Sequence, residues 1–143
     1  MRFRRTFGVV AGALVAFAGM PLGAAPAQAA SNLCKDASYA RVGVYKIMYG
    51  GKHRGSIEVY YSSRTQKNCA VAVGVGDFYG RSNYKGVGIR VSGTTKGDNW
   101  AELDQAMYKY YAGPVFVKAP GKCIDVYGVM ATVTRTVTHK HCG

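Results

Sequence analysis

Residues 40–63 read ARVGVYKIMYGGKHRGSIEVYYSS and predict two antiparallel β-strands joined by a tight turn. Val, Ile and Tyr favour extended backbone because their side chains pack well on a pleated surface. Gly50-Gly51 can adopt the positive φ angles of a hairpin loop. We therefore predict a first strand at Arg41–Tyr49 and a second at Gly55–Ser63.

The second strand separates its side chains into two sets by simple alternation. One set contains Ile57, Val59 and Tyr61, and the other contains Ser56, Glu58 and Tyr60. This pattern predicts a strand that buries one face only.

The rest of the chain continues as short β-segments separated by turns. Asn68–Val75, with small or β-branched residues on both faces, predicts a central strand, whereas polar Gly76–Lys85 predicts a loop. Trp100–Tyr108 fits a short helix or an irregular strand, and Pro114 indicates a bulge or an edge position. Further strands are predicted at Gly86–Ser92, Lys109–Lys118, Lys122–Val129 and Thr132–His141. The fold class is all-β: a small antiparallel sandwich or open barrel of seven or eight strands.

Residues 1–29 have the pattern of a secretory signal peptide. Three arginines near the start precede the apolar run Val9–Ala18, and Ala27-Gln28-Ala29 offers a small-residue cleavage site. We therefore expect an exported protein whose residues 30–143 form a single β domain, with no transmembrane segment in the mature chain. A monomer is expected.

The charge balance of the mature chain is strongly basic. All seven acidic residues and sixteen of the nineteen Lys and Arg lie after position 29, which leaves a formal charge of +9. This excess favours anionic partners such as cell-wall or spore-surface polymers, phospholipid surfaces, acidic proteins or nucleic acid. The densest stretch, Lys46–Arg54, holds only three cations, so no dedicated polyanion tail is present.

The four cysteines predict two disulfides, because an oxidising exterior lets such bridges persist. Four cysteines allow three pairings. We favour Cys34 with Cys69 and Cys123 with Cys142, since the latter two flank the last predicted hairpin and the former would tie the N-terminus to the central strand.

Several segments around the cysteines resemble a known family. They are Asn68-Cys69-Ala70-Val71, Tyr111-Ala112-Gly113-Pro114-Val115, Cys123-Ile124-Asp125-Val126-Tyr127-Gly128 and the final His141-Cys142-Gly143. The chain resembles the small exported spore-associated proteins of actinomycete bacteria, the spore-associated protein A-like family. The resemblance implies an extracellular protein found with spores or aerial growth, and it implies no reaction, cofactor or catalytic residue.

Catalytic and metal-binding patterns are weak. An acid–base hydrolase needs paired carboxylates or a histidine beside one, and the nearest approach is Glu58 with His53 and a cation such as Arg90. A solvent-facing strand glutamate beside a turn histidine is the commoner arrangement, so we expect no catalytic residue. His139 and His141 would share one strand face and could chelate a transition metal, but no third ligand is evident. We expect neither a metal site nor a cofactor.

The tyrosines supply the best binding hypothesis. Eleven are present, and the groups Tyr60-Tyr61 and Tyr108-Lys109-Tyr110-Tyr111 should each direct at least one ring away from the core. Exposed rings can stack on sugars or bases while a neighbouring cation meets an anionic group. We therefore predict Tyr60, Tyr108, Lys109 and Tyr110 as surface binding residues, although a half-buried strand also accommodates tyrosine without any ligand.

Together these features predict an exported, non-enzymatic protein that associates with the cell or spore envelope by binding anionic polymers. Two alternatives stay open: a small secreted hydrolase or toxin acting on RNA or wall glycan, and a secreted protease inhibitor. An enzyme requires a pocket with convergent titratable groups, and an inhibitor requires a rigid exposed loop near a disulfide.

Overall fold

The computed structural model describes residues 32–94 and 99–143, and the predicted signal peptide lies outside these ranges. Eight strands form two four-stranded antiparallel sheets, so the predicted all-β class is confirmed and the barrel is not closed. The strands are β1 (Ala40–Tyr49), β2 (Lys52–Ser62), β3 (Lys67–Gly74), β4 (Asn83–Val91), β5 (Glu102–Tyr108), β6 (Tyr111–Lys118), β7 (Ile124–Met130) and β8 (Val133–Lys140). The first sheet has the order β1-β2-β3-β6, and the second has the order β5-β4-β7-β8.

The hydrophobic core lies between the two sheets. Ile47, Ile57 and Val59 of the first sheet face Ile89 and Val126 of the second, and all five are almost fully buried. Small residues let the sheets approach closely: a Cβ added at Gly128 would lie 2.5 Å from Cγ1 of Ile57. Any larger residue at position 128 would therefore push the sheets apart.

The outer face of the first sheet is covered by residues 32–39. This segment is tied to β3 by the Cys34–Cys69 disulfide, and Tyr39 packs with Tyr60 and Val71 in a second apolar cluster. The prediction of one-sided burial for β2 is therefore wrong, because both faces of this strand are covered. Tyr60 is only 4% exposed and is not the surface residue that we predicted.

The second disulfide joins Cys123, just before β7, to Cys142, just after β8, and both bridges have the predicted pairing. Pro114 lies in the edge strand β6, where a register shift opposite Ala70 and Ala72 marks a bulge. The sequence predicts a short helix or an irregular strand at Trp100–Tyr108. The structure has a strand there, β5, which pairs regularly with β4. Within the two described ranges, no helix has the length and apolar character needed to cross a membrane.

Candidate functional site: an aromatic and basic end of the sandwich

Three chain connections meet at one end of the sandwich. The loop after β3 contains a single 3-10 turn at Gly76–Phe78, and the Gly80 amide in that loop donates to the Lys109 carbonyl at 2.9 Å. The Gly74 amide donates to the Tyr110 carbonyl at 2.9 Å, and the Val75 amide donates to the Arg54 carbonyl at 3.0 Å. Backbone hydrogen bonds therefore fix the loop, the β5–β6 turn and the start of β2 against one another.

Aromatic rings and cations alternate across this end. The rings of Tyr79 and Tyr110 meet edge to face with centroids 5.0 Å apart, and 56% and 47% of these residues is exposed. The Arg54 guanidinium lies 4.5 Å from the centroid of the Tyr49 ring and 5.2 Å from that of Phe78. We call the set Tyr49, Arg54, Phe78, Tyr79, Lys109 and Tyr110 the aromatic end.

A hollow of about 320 Å³ adjoins the aromatic end beside the β5–β6 turn. Its wall includes Asp104, which accepts hydrogen bonds of 2.6 Å from the Tyr108 hydroxyl and from the Gly113 amide. The bond to Asp104, followed by burial, raises the pKa of Tyr108. Asp104 thus holds the β5–β6 turn in place, and its carboxylate oxygens already carry structural hydrogen bonds.

Lys85 lies beneath the aromatic end and is completely buried. Its Nζ donates to the carbonyl of Tyr108 and to Oδ1 of Asn83, both at 2.8 Å, and more weakly to the carbonyl of Arg81 at 3.4 Å. All three partners are neutral, and burial lowers the pKa of Lys85. A buried ammonium group therefore ties β4 to the base of the Tyr108-Lys109-Tyr110 turn.

The sequence prediction placed Lys85 in a loop and missed this role. In the structure β4 begins at Asn83, and Lys85 shares the inward face with Val87 and Ile89. The alternation of Val87, Ile89 and Val91 extends back to position 85, which was the available signal.

The four residues predicted to bind a ligand lie in different surroundings. Lys109 and Tyr110 are exposed in the aromatic end, and Tyr108 is half-buried with its hydroxyl bound to Asp104. Tyr60 lies in the first sheet under the N-terminal segment, where its hydroxyl donates to Glu58. Burial, followed by the bond to Glu58, raises the pKa of Tyr60 to about 12.

The residues suggested for a hydrolase are not brought together. Glu58 contacts the Tyr60 hydroxyl and lies 3.9 Å from the Arg41 guanidinium, whereas His53 Nε2 pairs with the Ser56 hydroxyl at 2.9 Å. Arg90 belongs to the other sheet, where its Nε donates to Asp125 at 3.0 Å. The Glu58, His53 and Arg90 arrangement is therefore absent from the described residues.

The two C-terminal histidines also take separate roles. His141 packs against Gly43, and its Nε2 lies 3.0 Å from the Tyr45 hydroxyl, which links the end of β8 to β1. Burial, then the charge of Lys140, lowers the pKa of His141. The His139 amide donates to Asp125 instead. Among residues 32–94 and 99–143, no cluster of three or more His, Cys, Asp or Glu side chains could hold a metal ion.

The chain is similar to a protein from an actinomycete. It is 30% identical over 125 residues to spore-associated protein A of Streptomyces coelicolor (strain ATCC BAA-471 / A3(2) / M145), across 83% of this chain and 76% of the relative. The chain belongs to the spore-associated protein A family. No protein-family model and no solved structure matches this family member.

The segments that carried the resemblance in the sequence are framework elements of this family member. They lie in β3, β6 and β7 and at the C-terminus, and they include Cys69, Cys123, Cys142 and the buried Asp125. The aromatic end lies outside these segments.

Proposed function

We propose that this protein is exported and non-enzymatic and is retained at the cell or spore envelope by binding anionic polymers through its aromatic end. The observation that carries the proposal is the exposed Tyr79–Tyr110 pair, flanked by Lys109 and by the stacked Arg54. The relative's name, spore-associated protein A, supports the envelope setting.

The chemistry of the aromatic end suits a polymer that carries both rings and anionic groups. Tyrosine rings stack on sugars or bases, and Lys and Arg attract phosphate or carboxylate groups along the chain. The mature charge of +9 adds long-range attraction to the same class of ligand. Affinity should therefore combine a salt-sensitive part from the cations with a salt-insensitive part from the rings.

The hydrogen bonding of the nearby carboxylate favours binding over catalysis. Asp104 already accepts hydrogen bonds from the Tyr108 hydroxyl and the Gly113 amide, so it is poorly placed to act as a general acid or base. Glu58 is held by Tyr60 and Arg41 on another face of the molecule.

The test is co-sedimentation of the purified mature protein with isolated cell wall and spore wall at increasing salt. Release should rise steeply through and above physiological ionic strength, where the screening length falls below about 8 Å. The variant Lys109→Ala should weaken retention more than Lys118→Ala, which removes the same charge from an exposed position in β6.

A double variant Tyr79→Ala/Tyr110→Ala should weaken binding while leaving the slope of the salt dependence unchanged, because stacking releases no counterions. Retention that neither Lys109→Ala nor Tyr79→Ala/Tyr110→Ala weakens at any salt concentration, or equal effects of Lys109→Ala and Lys118→Ala, would contradict the proposal. Hydrolysis of RNA or wall glycan that is lost in Glu58→Gln would establish the enzyme alternative instead.

A further inference from the structure

The outer face of the second sheet carries another concave surface. Its side chains differ in chemistry from those of the aromatic end. Its wall is formed by Trp100, Leu103, Gln105, Tyr127, Thr134 and Thr136, around a hollow of about 420 Å³. We call it the threonine hollow. The matching face of the first sheet is covered by residues 32–39, so the two sheets differ in what they leave accessible.

Two glycines in the central strand β4 let the walls of the hollow pack close to the sheet. Gly88 pairs with Leu103 of β5 on one side and with Tyr127 of β7 on the other. Gly86 is placed in the same way between Gln105 and Val129. Because neither position carries a side chain, the side chains that line the hollow pack directly on β4: a Cβ added at Gly86 would lie 2.6 Å from Cγ of Gln105.

The indole of Trp100 forms a rigid end wall. It stacks on Tyr127 with ring centroids 5.6 Å apart and an interplanar angle of 30°, and the Arg90 guanidinium lies 4.5 Å from its centroid. A Cβ added at Gly88 would lie 2.8 Å from the indole, so the ring rests directly on the strand. Arg90 is itself held by Asp125 at 3.0 Å, which fixes this wall before any ligand arrives.

The other walls offer neutral hydrogen-bonding groups. The Tyr84 hydroxyl donates to Oε1 of Gln105 at 3.1 Å, and Nε2 of Gln105 approaches the Tyr127 hydroxyl at 3.5 Å. Thr134 and Thr136 are exposed on β8, two residues apart and so about 6.8 Å from each other along the strand. Hydroxyl and amide groups can both donate and accept, as a polyhydroxylated ligand requires.

Charge distinguishes this surface from the rest of the chain. Among the described side chains that the second sheet directs to this face, the charged ones are Arg90 and Asp125, and they neutralise each other. The mature chain as a whole has a charge of +9. A neutral face on a basic protein complements a neutral ligand, whereas a polyanion would bind to surfaces where lysine and arginine side chains are exposed.

We propose that the threonine hollow binds a neutral polysaccharide. The C–H face of a sugar ring packs against the Trp100 and Tyr127 wall, and the ring hydroxyls bond to Gln105, Thr134 and Thr136. This site is independent of the aromatic end and gives the protein a second, salt-insensitive contact with a glycan surface.

Trp100 is the single tryptophan of the chain, so intrinsic fluorescence reports directly on the hollow. Cellohexaose and chitohexaose are the probes, titrated into the mature protein at 0.1 and 0.5 M NaCl, with calorimetry as a second readout. We expect a saturable change in tryptophan emission with at least one probe and the same dissociation constant at both salt concentrations.

Variants separate the hollow from other surfaces. Thr136→Val keeps the shape of the side chain but removes its hydroxyl, and it should weaken binding roughly three- to tenfold, as should Gln105→Ala. Thr138→Val, on the same strand but outside the wall of the hollow, should leave binding unchanged. Lys109→Ala should also leave it unchanged, which distinguishes failure of this site from failure of the aromatic end.

Three results would overturn the inference. They are no emission change and no heat with either probe at millimolar concentration, equal affinities for Thr136→Val, Gln105→Ala and the unaltered protein, or binding that disappears at 0.5 M NaCl.

Discussion

The carboxylate of Asp125 accepts a hydrogen bond from Nε of Arg90 at 3.0 Å. The same carboxylate accepts bonds from the Ser92 hydroxyl at 2.5 Å and from the His139 amide at 3.1 Å, and Asp125 is only 3% exposed. One buried side chain therefore joins β4, β7 and the end of β8, and through Arg90 it supports the Trp100 wall of the threonine hollow.

Replacing Asp125 with alanine should destabilise the protein by about 3–5 kcal/mol, because the largely buried charge of Arg90 would lose its carboxylate counter-ion. Urea unfolding of the mature protein measures this difference. Asp77→Ala, at an exposed position, is the control and should stay within about 0.5 kcal/mol of the unaltered protein. Equal midpoints for the two variants would show that the Asp125 network contributes little.

The hydrogen bonds of Asp125 also predict that the stability of the protein depends on pH. Burial alone would raise the pKa of Asp125, but the bonds from Ser92, the His139 amide and Arg90 outweigh burial and hold this pKa below its ordinary value. Its contribution to stability should be present above the pKa of the unfolded chain and should be lost as the pH falls through the lower pKa of the folded chain. The urea midpoint difference between the unaltered protein and Asp125→Asn should therefore shrink between pH 5 and pH 2, and a constant difference would contradict this reasoning.

The Tyr60 hydroxyl should ionise at a higher pH than an ordinary tyrosine. Its pKa is raised to about 12 by burial and by Glu58, so the folded chain should keep this phenol neutral when an unfolded tyrosine would already ionise near pH 10. The free energy of unfolding should fall as the pH rises from about 10 to 12. Absorbance at 295 nm during an alkaline titration measures the ionisation, and Tyr60→Phe should remove the latest step. Glu58→Gln should shift that step to lower pH, whereas an unshifted step would exclude the carboxylate as a cause.

Lys85 should be the last lysine to react with an amine-specific acetylating reagent. It is completely buried, its Nζ is held by two hydrogen bonds of 2.8 Å, and Lys109 on the surface provides the internal control. Mass spectrometry of peptides after graded modification gives the order of reaction. Early labelling of Lys85 in the folded protein would mean that the base of the aromatic end opens readily.

Loss of the Cys34–Cys69 bridge should expose Tyr60 as well as lower stability. The chain-entropy model gives about 4 kcal/mol for this loop and about 3 kcal/mol for the Cys123–Cys142 loop. Cys34→Ala/Cys69→Ala should therefore lower the midpoint of unfolding and also move the late tyrosine ionisation to lower pH. Cys123→Ala/Cys142→Ala is the matched control and should change stability without changing that ionisation.

Patterns within the sequence predicted the parts of the fold that depend on short segments of the chain. The β1–β2 hairpin, the central β3 strand and both disulfides follow from alternation, glycine turns and cysteine position. Tyr60 was misplaced because its cover, residues 32–39, is irregular and leaves no periodic signal. The threonine hollow was missed because its lining residues come from β5, β7 and β8 and from Trp100, and alternation within one strand does not specify which strands share a sheet.

The chain crosses between the two sheets after β3, after β5 and after β6. The first two crossings form the aromatic end, and their backbone hydrogen bonds hold each to the other. Neither sheet alone can therefore display this surface. Binding to an anionic surface, as proposed, would therefore select folded molecules. A molecule whose two sheets had not docked would lack the arranged rings and would not be retained.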